Sequence, residues 1–358
     1  MKSKDRREMK ITFVLPGDHR SGGVRVTMLM ANELLRRGIK VRIACLEADA
    51  PVWKRAARRV KGLARPTQHA GWLHEFKGEV AAARNLDELD YSPGEVVIAV
   101  GTYVVGRVRA LAAPEVIKVR FNHGMPSVLS AENLSAWQGR MRTITVSNTL
   151  VPKLEELSGE RVLAVIPNGI DISQYFADDT VERLGIGAVY NPHPNKDSGL
   201  LIDVLREAHR RMPDVPQVVF STEKRPRGLE HVEFVRYPPV DEARRLYSRS
   251  KVWLMTSRTE GLPGVALEAM ACGAVMVSSD NDGSLEIIRD GINGLIVPQA
   301  DKERYLTAME SVIRNEDLRA SLSREAIATA ADFSWERAAD RMVAFLEALK
   351  PESEPVAR

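Results

Sequence analysis

The chain has 358 residues, of which 44% are hydrophobic and 28% charged, and a formal net charge of +3. That length exceeds one typical core and suits two domains, and the balance is that of a globular protein rather than a disordered one. A charge so near neutrality gives no ground for a nucleic-acid partner, and no apolar run approaches the roughly 18 residues a membrane-crossing helix needs. The opening Met1–Glu8 lacks the apolar core of a signal peptide, so a cytoplasmic protein is expected. Cys45 and Cys272 both lie in apolar segments and read as buried, reduced thiols.

Taken in order, Lys10 to Leu15 is a strand and Pro16-Gly-Asp-His-Arg-Ser-Gly-Gly a loop. A helix is expected from about Val24 to Arg37, with Val24, Met28, Ala31 and Leu35 on one face and Gly38 closing it. Val41 to Leu46 is the next strand. This strand–helix–strand unit puts Gly22 and Gly23 at the carboxyl end of its first strand, where open parallel sheets bind ligands. The loop lacks the full Gly-x-Gly-x-x-Gly spacing, so a nicotinamide site is poorly supported, and an ordinary tight turn remains the alternative. Residues 52–65 carry six basic residues and no acid. Wound as a helix, their apolar residues gather on one side, the pattern of a helix on an anionic membrane surface or of a basic helix packed on its own domain.

Further strands are expected at Val96–Val100, Val116–Phe121, Ile144–Ser147 and Val162–Ile166. Strands separated by helical or loop stretches argue for a mostly parallel sheet. Phe121-Asn-His-Gly sets His123 just past a strand end, again at the ligand edge. A second series begins at Ile186–Tyr190 and runs through Asn191-Pro-His-Pro-Asn-Lys-Asp into a helix reaching about Met212. Strands Val218–Ser221 and Val232–Val235 follow, the latter leading into Arg236-Tyr237-Pro. Helices are expected at Lys302–Arg314, Asp317–Ala331 and Trp335–Leu349.

The most informative stretch runs from Trp253 to Pro298. An apolar strand ends in a loop, Arg258-Thr-Glu-Gly-Leu-Pro-Gly, and an apolar helix begins near Val265 and stops at Gly273. The helix start turns free N–H groups and a positive dipole end toward the strand's edge, a seat for phosphate. Glu260 in the loop and Glu268 about one turn into the helix both can face it, and a carboxylate accepts two hydrogen bonds side by side from paired sugar hydroxyls.

These two glutamates, separated by seven residues within Glu-Gly-Leu-Pro-Gly and Leu-Glu-Ala-Met-Ala-Cys-Gly, closely resemble the signature of family-4 retaining glycosyltransferases. Ser279-Asp-Asn-Asp-Gly-Ser-Leu-Glu and Asp290-Gly-Ile-Asn-Gly-Leu-Ile-Val-Pro are similar to the same family. The resemblance covers the second half well and the first half in pieces. It implies an α/β protein of GT-B fold, with two facing Rossmann-like domains and an interdomain cleft. The expected division is 1–170 (acceptor side), a linker 171–185, 186–334 (nucleotide-sugar side) and a helix 335–350 returning to the first domain. It also implies a nucleoside diphosphate sugar as donor, UDP- or GDP-linked, no cofactor and no metal. The acceptor would be a glycan or lipid-linked molecule, as in cell-envelope polysaccharide or glycolipid synthesis at the inner face of the membrane.

Carried over residue by residue, Gly22 and Gly23 match the glycines that approach the donor, and His123 the histidine near the reacting sugar. Lys196 matches a lysine that grips the diphosphate. Glu260 would hold the sugar hydroxyls and Glu268 the ribose, with Gly261, Leu262, Pro263, Gly264 and Val265 lining sugar and phosphate and Tyr237 in the base-side turns. The catalytic set is then His123, Lys196 and Glu260. Asn191 departs from the pattern, since an arginine is expected there, and so does Asp197, where glycine is expected. His193, Lys224 and Arg225 are the replacements considered for the missing cation. A catalytically silent binding partner, a nucleotide-sugar epimerase or hydrolase and a sugar-polymer phosphorylase are the competing readings.

Overall fold

The computed structural model describes residues 9–18, 21–46, 71–124 and 137–349. The basic segment 52–65 lies outside the described residues. Two compact units emerge: one holds the described residues up to Pro167 and those from Trp335 onward, the other Asn168–Ser334. Residues 171–185, read as a linker, fall inside the second unit.

The first unit is built on seven strands: β1 (Lys10–Leu15), β2 (Lys40–Leu46), β3 (Glu79–Ala83), β4 (Val96–Val100), β5 (Ile117–Asn122), β6 (Arg142–Thr145) and β7 (Val162–Val165). All pair in parallel, in the order β3-β2-β1-β4-β5-β6-β7. Ile11 in β1 is flanked by Val41 and Val96, and β1 and β4 are buried along nearly their whole length. Helices on both faces of a parallel sheet bury both sides of its central strands, which explains their unbroken apolar runs. The edge strand β3 was not expected. Its Glu-Val-Ala-Ala-Ala run is mostly solvent-facing and carries little of the β-branched signal by which strands are recognised.

The helix after β1 spans Gly22–Arg36, not Val24–Arg37. Ser21 is its N-cap, the hydroxyl accepting from the Val24 amide (3.4 Å), so both glycines lie in the first turn rather than in the loop. The helix Trp335–Ala348 packs on it, tied by the Arg37 guanidinium to Asp340 and to the Glu336 carbonyl.

The second unit repeats the plan with β8 (Gly185–Val189), β9 (Gln217–Ser221), β10 (Glu233–Arg236), β11 (Ser250–Met255), β12 (Val275–Ser279) and β13 (Leu295–Val297). They form a parallel sheet ordered β10-β9-β8-β11-β12-β13. Gly187 in the middle of β8 is required by packing: a Cβ there would stand 2.1 Å from the Trp253 ring of β11. Trp253 is fully buried and its ring lies 4.4 Å from that of Tyr247. In both sheets the strand order reverses once, between β1 and β4 and between β8 and β11. Open α/β sheets bind ligands at the carboxyl ends of strands on either side of such a reversal.

The opposite, amino end of the first sheet is locked by buried charge. Glu95, just before β4, accepts from the Thr12 hydroxyl (2.5 Å) and the Ser92 amide (3.0 Å) and pairs with Arg42 (3.0 Å) and Lys10 (3.1 Å). Burial by itself would raise the Glu95 carboxyl, but the Thr12, Ser92 and Lys10 hydrogen bonds and the Arg42 charge hold it below the ordinary range. Removing one member of such a buried group strands the others without partners. Glu95→Gln should therefore cost about 3–5 kcal/mol in urea unfolding at neutral pH. A depressed carboxyl stabilises above its unfolded pKa and loses that contribution as pH falls through the folded value. The gap between wild type and variant should close under acid conditions.

Candidate functional site

The turn after β8 and the loop after β11 meet at the reversal of the second sheet. The first ends in a short 3-10 turn, Pro194–Lys196, followed by Asp197 in the left-handed region (φ 44°, ψ 52°) at the cap of the helix Ser198–Arg211. The second runs from Thr256 to the helix Gly264–Ala271. The Thr256 hydroxyl donates to the carbonyls of Lys196 (3.0 Å) and Asp197 (3.2 Å), and the Arg258 amide to the Asn195 carbonyl (2.7 Å). Lys196 Nζ pairs with Glu260 Oε1 at 2.5 Å, with 35% and 13% of the two side chains exposed. Two residues 64 apart in sequence are thus joined by the sheet's strand order.

The loop holding Glu260 is rigidly backed. Ser279 Oγ (2.5 Å) and Asn281 Nδ2 (3.2 Å) both donate to the Ser257 carbonyl, and Asn168 Nδ2 donates to the Leu262 carbonyl (3.1 Å). Gly283 allows the helix Asp282–Ile287 to press against it: a Cβ there would lie 2.8 Å from Glu260 Cβ and 2.9 Å from Pro263 Cδ. Pro263 is the N-cap of the helix Gly264–Ala271. Its carbonyl takes the Ala266 and Leu267 amides, which leaves the Gly264 and Val265 amides without an intrahelical acceptor. Gly261, Leu262 and Pro263 are buried, while Gly264 and Val265 are half-exposed. The parts of this segment open to a ligand are therefore Arg258, Thr259 and Glu260 before the buried turn and the first two helix residues after it.

Glu268 lies one turn inside the helix and is buried, with Oε2 accepting from the Tyr247 hydroxyl at 2.8 Å. Full burial, reinforced by the Glu268 charge, raises the Tyr247 phenol well above its usual value, so Tyr247 stays a donor at any physiological pH. Tyr237 follows β10 with φ 53°, a backbone region unusual for a bulky residue; its amide donates to the Ser221 carbonyl (3.0 Å), and the Arg236 guanidinium lies 5.2 Å over its ring. Both cysteine thiols are buried and pushed up to about 12, chiefly by that burial.

Of the replacements considered for the missing cation, His193 has one ring nitrogen engaged within its own turn. Its Nδ1 accepts from the Asn195 amide (3.3 Å), so the ring shapes its own turn. Asn191 is exposed and closes its own turn, its Oδ1 accepting from the His193 amide (2.9 Å). Lys224 and Arg225 sit on the loop after β9, with Arg225 over the Phe234 ring at 5.6 Å.

In the first unit, Gly22 and Gly23 open the helix at the carboxyl end of β1, and an added Cβ at either would meet nothing within 4 Å. His123 stands just past β5, half-buried, its ring 4.3 Å from that of Phe121. Sequence reasoning missed Tyr247, Asn281 and Gly283. The first lies on a neighbouring helix; the other two fall in the Ser279–Glu286 stretch singled out above, but their action on the glutamate loop's backbone is not readable from local pattern.

The chain matches the family model described as Glycosyltransferase Family 4 over residues 20–174 and that described as Glycosyl transferases group 1 over residues 220–329. Asn191, Lys196 and Asp197 fall between the two matched segments. It is 29% identical over 215 residues to the D-inositol 3-phosphate glycosyltransferase of Geodermatophilus obscurus, a match spanning 50% of this chain and about half (46%) of that relative. The enzyme of the same name from Rhodococcus jostii is 26% identical over 398 aligned positions, covering 92% of this chain and 85% of the relative. Among solved structures, Anabaena Alr3699/HepE in complex with UDP-glucose superposes with a TM-score of 0.74 at 18% identity, over 95% of this chain and 100% of that one. The chain has the GT-B fold, with two parallel-sheet α/β domains, and the sequence matches support a glycosyltransferase.

The open space at the two first-domain glycines yields a test. Alanine at position 22 or 23 should leave the melting temperature unchanged or raise stability by up to about 1 kcal/mol, since a helix favours alanine over glycine. If that space admits a ligand, the same variants should lose nucleotide-sugar binding in calorimetry. Binding equal to wild type would reduce both glycines to ordinary helix-start residues.

Proposed function

We propose that the chain is a retaining glycosyltransferase that moves a sugar from a nucleoside diphosphate sugar to a glycan or lipid-linked acceptor. The observation that carries this is the Lys196–Glu260 pair at the reversal of the second sheet, beside the unfilled amides of Gly264 and Val265. Those groups match the parts of a glycosyl diphosphate. Lys196 and the helix start offer positive charge to the phosphates, and Glu260 offers paired acceptors to the sugar hydroxyls. Donor binding then replaces the internal ion pair with two external contacts. Glu268, its carboxylate held by the Tyr247 hydroxyl, would bind the ribose.

The reaction breaks the bond between the anomeric carbon and a phosphate oxygen while the acceptor hydroxyl oxygen bonds to that carbon. Negative charge builds on the departing diphosphate, where Lys196 and the helix start stabilise it most. The acceptor proton passes to the departing phosphate oxygen on the same face, and the anomeric configuration is kept. No carboxylate acts as nucleophile. His123 would contact the reacting sugar from the first domain, and Tyr237 would lie beside the base. The charge supplied by Lys196 and the amides makes a divalent metal unnecessary. The UDP-glucose bound in the similar structure supports a nucleoside diphosphate sugar as donor, UDP-linked as there or GDP-linked. A cytoplasmic reaction feeding cell-envelope polysaccharide or glycolipid fits such chemistry, with residues 52–65 as the segment to test for membrane contact.

A thermal-shift screen with UDP, GDP, dTDP, ADP and CMP tests the donor site. A ligand that prefers the folded state raises the melting temperature with its concentration over its dissociation constant. One nucleoside diphosphate should stabilise, equally with magnesium and with EDTA. No shift from any of them favours the silent partner, a reading that Asn191 in place of the expected arginine supports. With the nucleotide known, Glu260→Ala should abolish transfer and spare nucleotide binding, whereas Glu268→Ala should weaken nucleotide binding itself. The reverse pattern would overturn the roles assigned to the two carboxylates.

A further inference from the structure

The donor site proposed above lacks a cation: Asn191 stands where an arginine is expected, and its side chain closes its own turn instead of reaching a ligand. A second departure lies six residues on. Asp197 occupies a glycine position and adopts the left-handed backbone that glycine would favour (φ 44°). A carboxylate is a poor neighbour for a diphosphate unless its charge is met, and here it is met by Arg258. Asp197 Oδ1 caps the following helix through the Leu200 amide (3.4 Å), and Oδ2 accepts from Arg258 Nε at 2.8 Å.

Arg258 is well placed to do more than neutralise. Its backbone is fixed at both ends, the amide on the Asn195 carbonyl (2.7 Å) and the carbonyl receiving Gln299 Nε2 (3.1 Å). That puts it across from the turn that ends in Lys196, and two residues before Glu260. The side chain is 62% exposed, so its pair with Asp197 contributes little to stability. Holding Nε leaves the two terminal nitrogens of a planar, permanently charged fork with no other hydrogen bond among the described residues, a shape suited to two phosphate oxygens. Lys196–Glu260 and Asp197–Arg258 thus form two adjacent ion pairs linking the same two loops, with one cation from each loop.

We infer that Arg258 supplies the second cation for the donor diphosphate, in place of the arginine absent at 191, with Asp197 as its positioning residue. The two departures are then one change: the acid at 197 holds the arginine that the asparagine at 191 no longer provides. This rests on the second unit being the donor site.

The test is calorimetric titration of the full chain with UDP and GDP and with UMP and GMP, comparing wild type with Arg258→Gln and Arg258→Lys. Arg258→Gln should weaken the diphosphate that wild type binds by about tenfold to a hundredfold, the range for a lost charge-assisted hydrogen bond. Affinity for the monophosphate and the melting temperature should hold, and Arg258→Lys should recover part of the loss. Asp197→Asn keeps the helix cap but not the charge pairing, and should lower the diphosphate-to-monophosphate ratio by a smaller factor. Adding Asn191→Arg to Arg258→Gln should restore diphosphate affinity. If Arg258→Gln binds the diphosphate as wild type does, or loses monophosphate equally, the assignment is overturned and the donor site stands. If wild type binds no nucleotide, both fall.

Discussion

The second unit's chemistry depends on one contact, the ion pair between Lys196 and Glu260. It exists because β8 and β11 are neighbours, with Ala188 beside Leu254, although 60 or so residues of chain separate their loops. A parallel sheet delivers every strand's following loop to the same edge, and the reversal between β8 and β11 sends the chain away on both sides of that point, leaving a gap. Two loops meet there, each bringing one cation and one acid that pair across the gap. The lysine is partly exposed and the glutamate mostly covered, so the pair is accessible enough for a charged ligand to compete for either member.

The two ends of the sheets divide the work. At the amino end of the first sheet, Glu95, Arg42, Thr12 and Lys10 form a saturated buried network in which every hydrogen-bonding group of Glu95 is spoken for. At the carboxyl edge of the second, the Gly264 and Val265 amides and the terminal nitrogens of Arg258 have no acceptor among the described residues. Charge that is fully satisfied specifies the fold. Unsatisfied donors beside solvent do not help folding, and their natural complement is an anion.

Much of this was legible in the sequence. The apolar runs of β1, β4 and β11 mark central parallel strands, and the Glu260–Glu268 stretch marks the candidate ligand loop, because both are local patterns. What escaped is non-local or set by the backbone. Ser21 captures the helix start by capping, which pulls Gly22 and Gly23 into the helix against their own propensity. The largely exposed β3 offers no alternation to read. His193 looked like a spare cation, and only the turn geometry shows its ring nitrogen accepting from Asn195. Asp197 looked like an unfavourable intrusion, and only its backbone angle and its bond to Arg258 give it a purpose. The division of the chain near Asn168 follows packing: Ile170 bridges to Ser334 and the Asn168 side chain holds the Leu262 carbonyl, both within the second unit.

The two glutamates show how one residue type takes two roles through its surroundings. Glu268 is fixed from behind by a chain of packing: Gly187 makes room for Trp253, Trp253 packs on Tyr247, and the Tyr247 hydroxyl holds Oε2. A buried donor that cannot ionise keeps that oxygen engaged whatever binds in front, so Glu268 behaves as a fixed acceptor. Glu260 has a fixed backbone, clamped through Ser257 and Leu262, but its carboxylate is met by a lysine on a flexible stem. Its partner can be exchanged without disturbing the core. A group that must hold the unchanging part of a ligand suits the first environment, and one that must release a charge on binding suits the second.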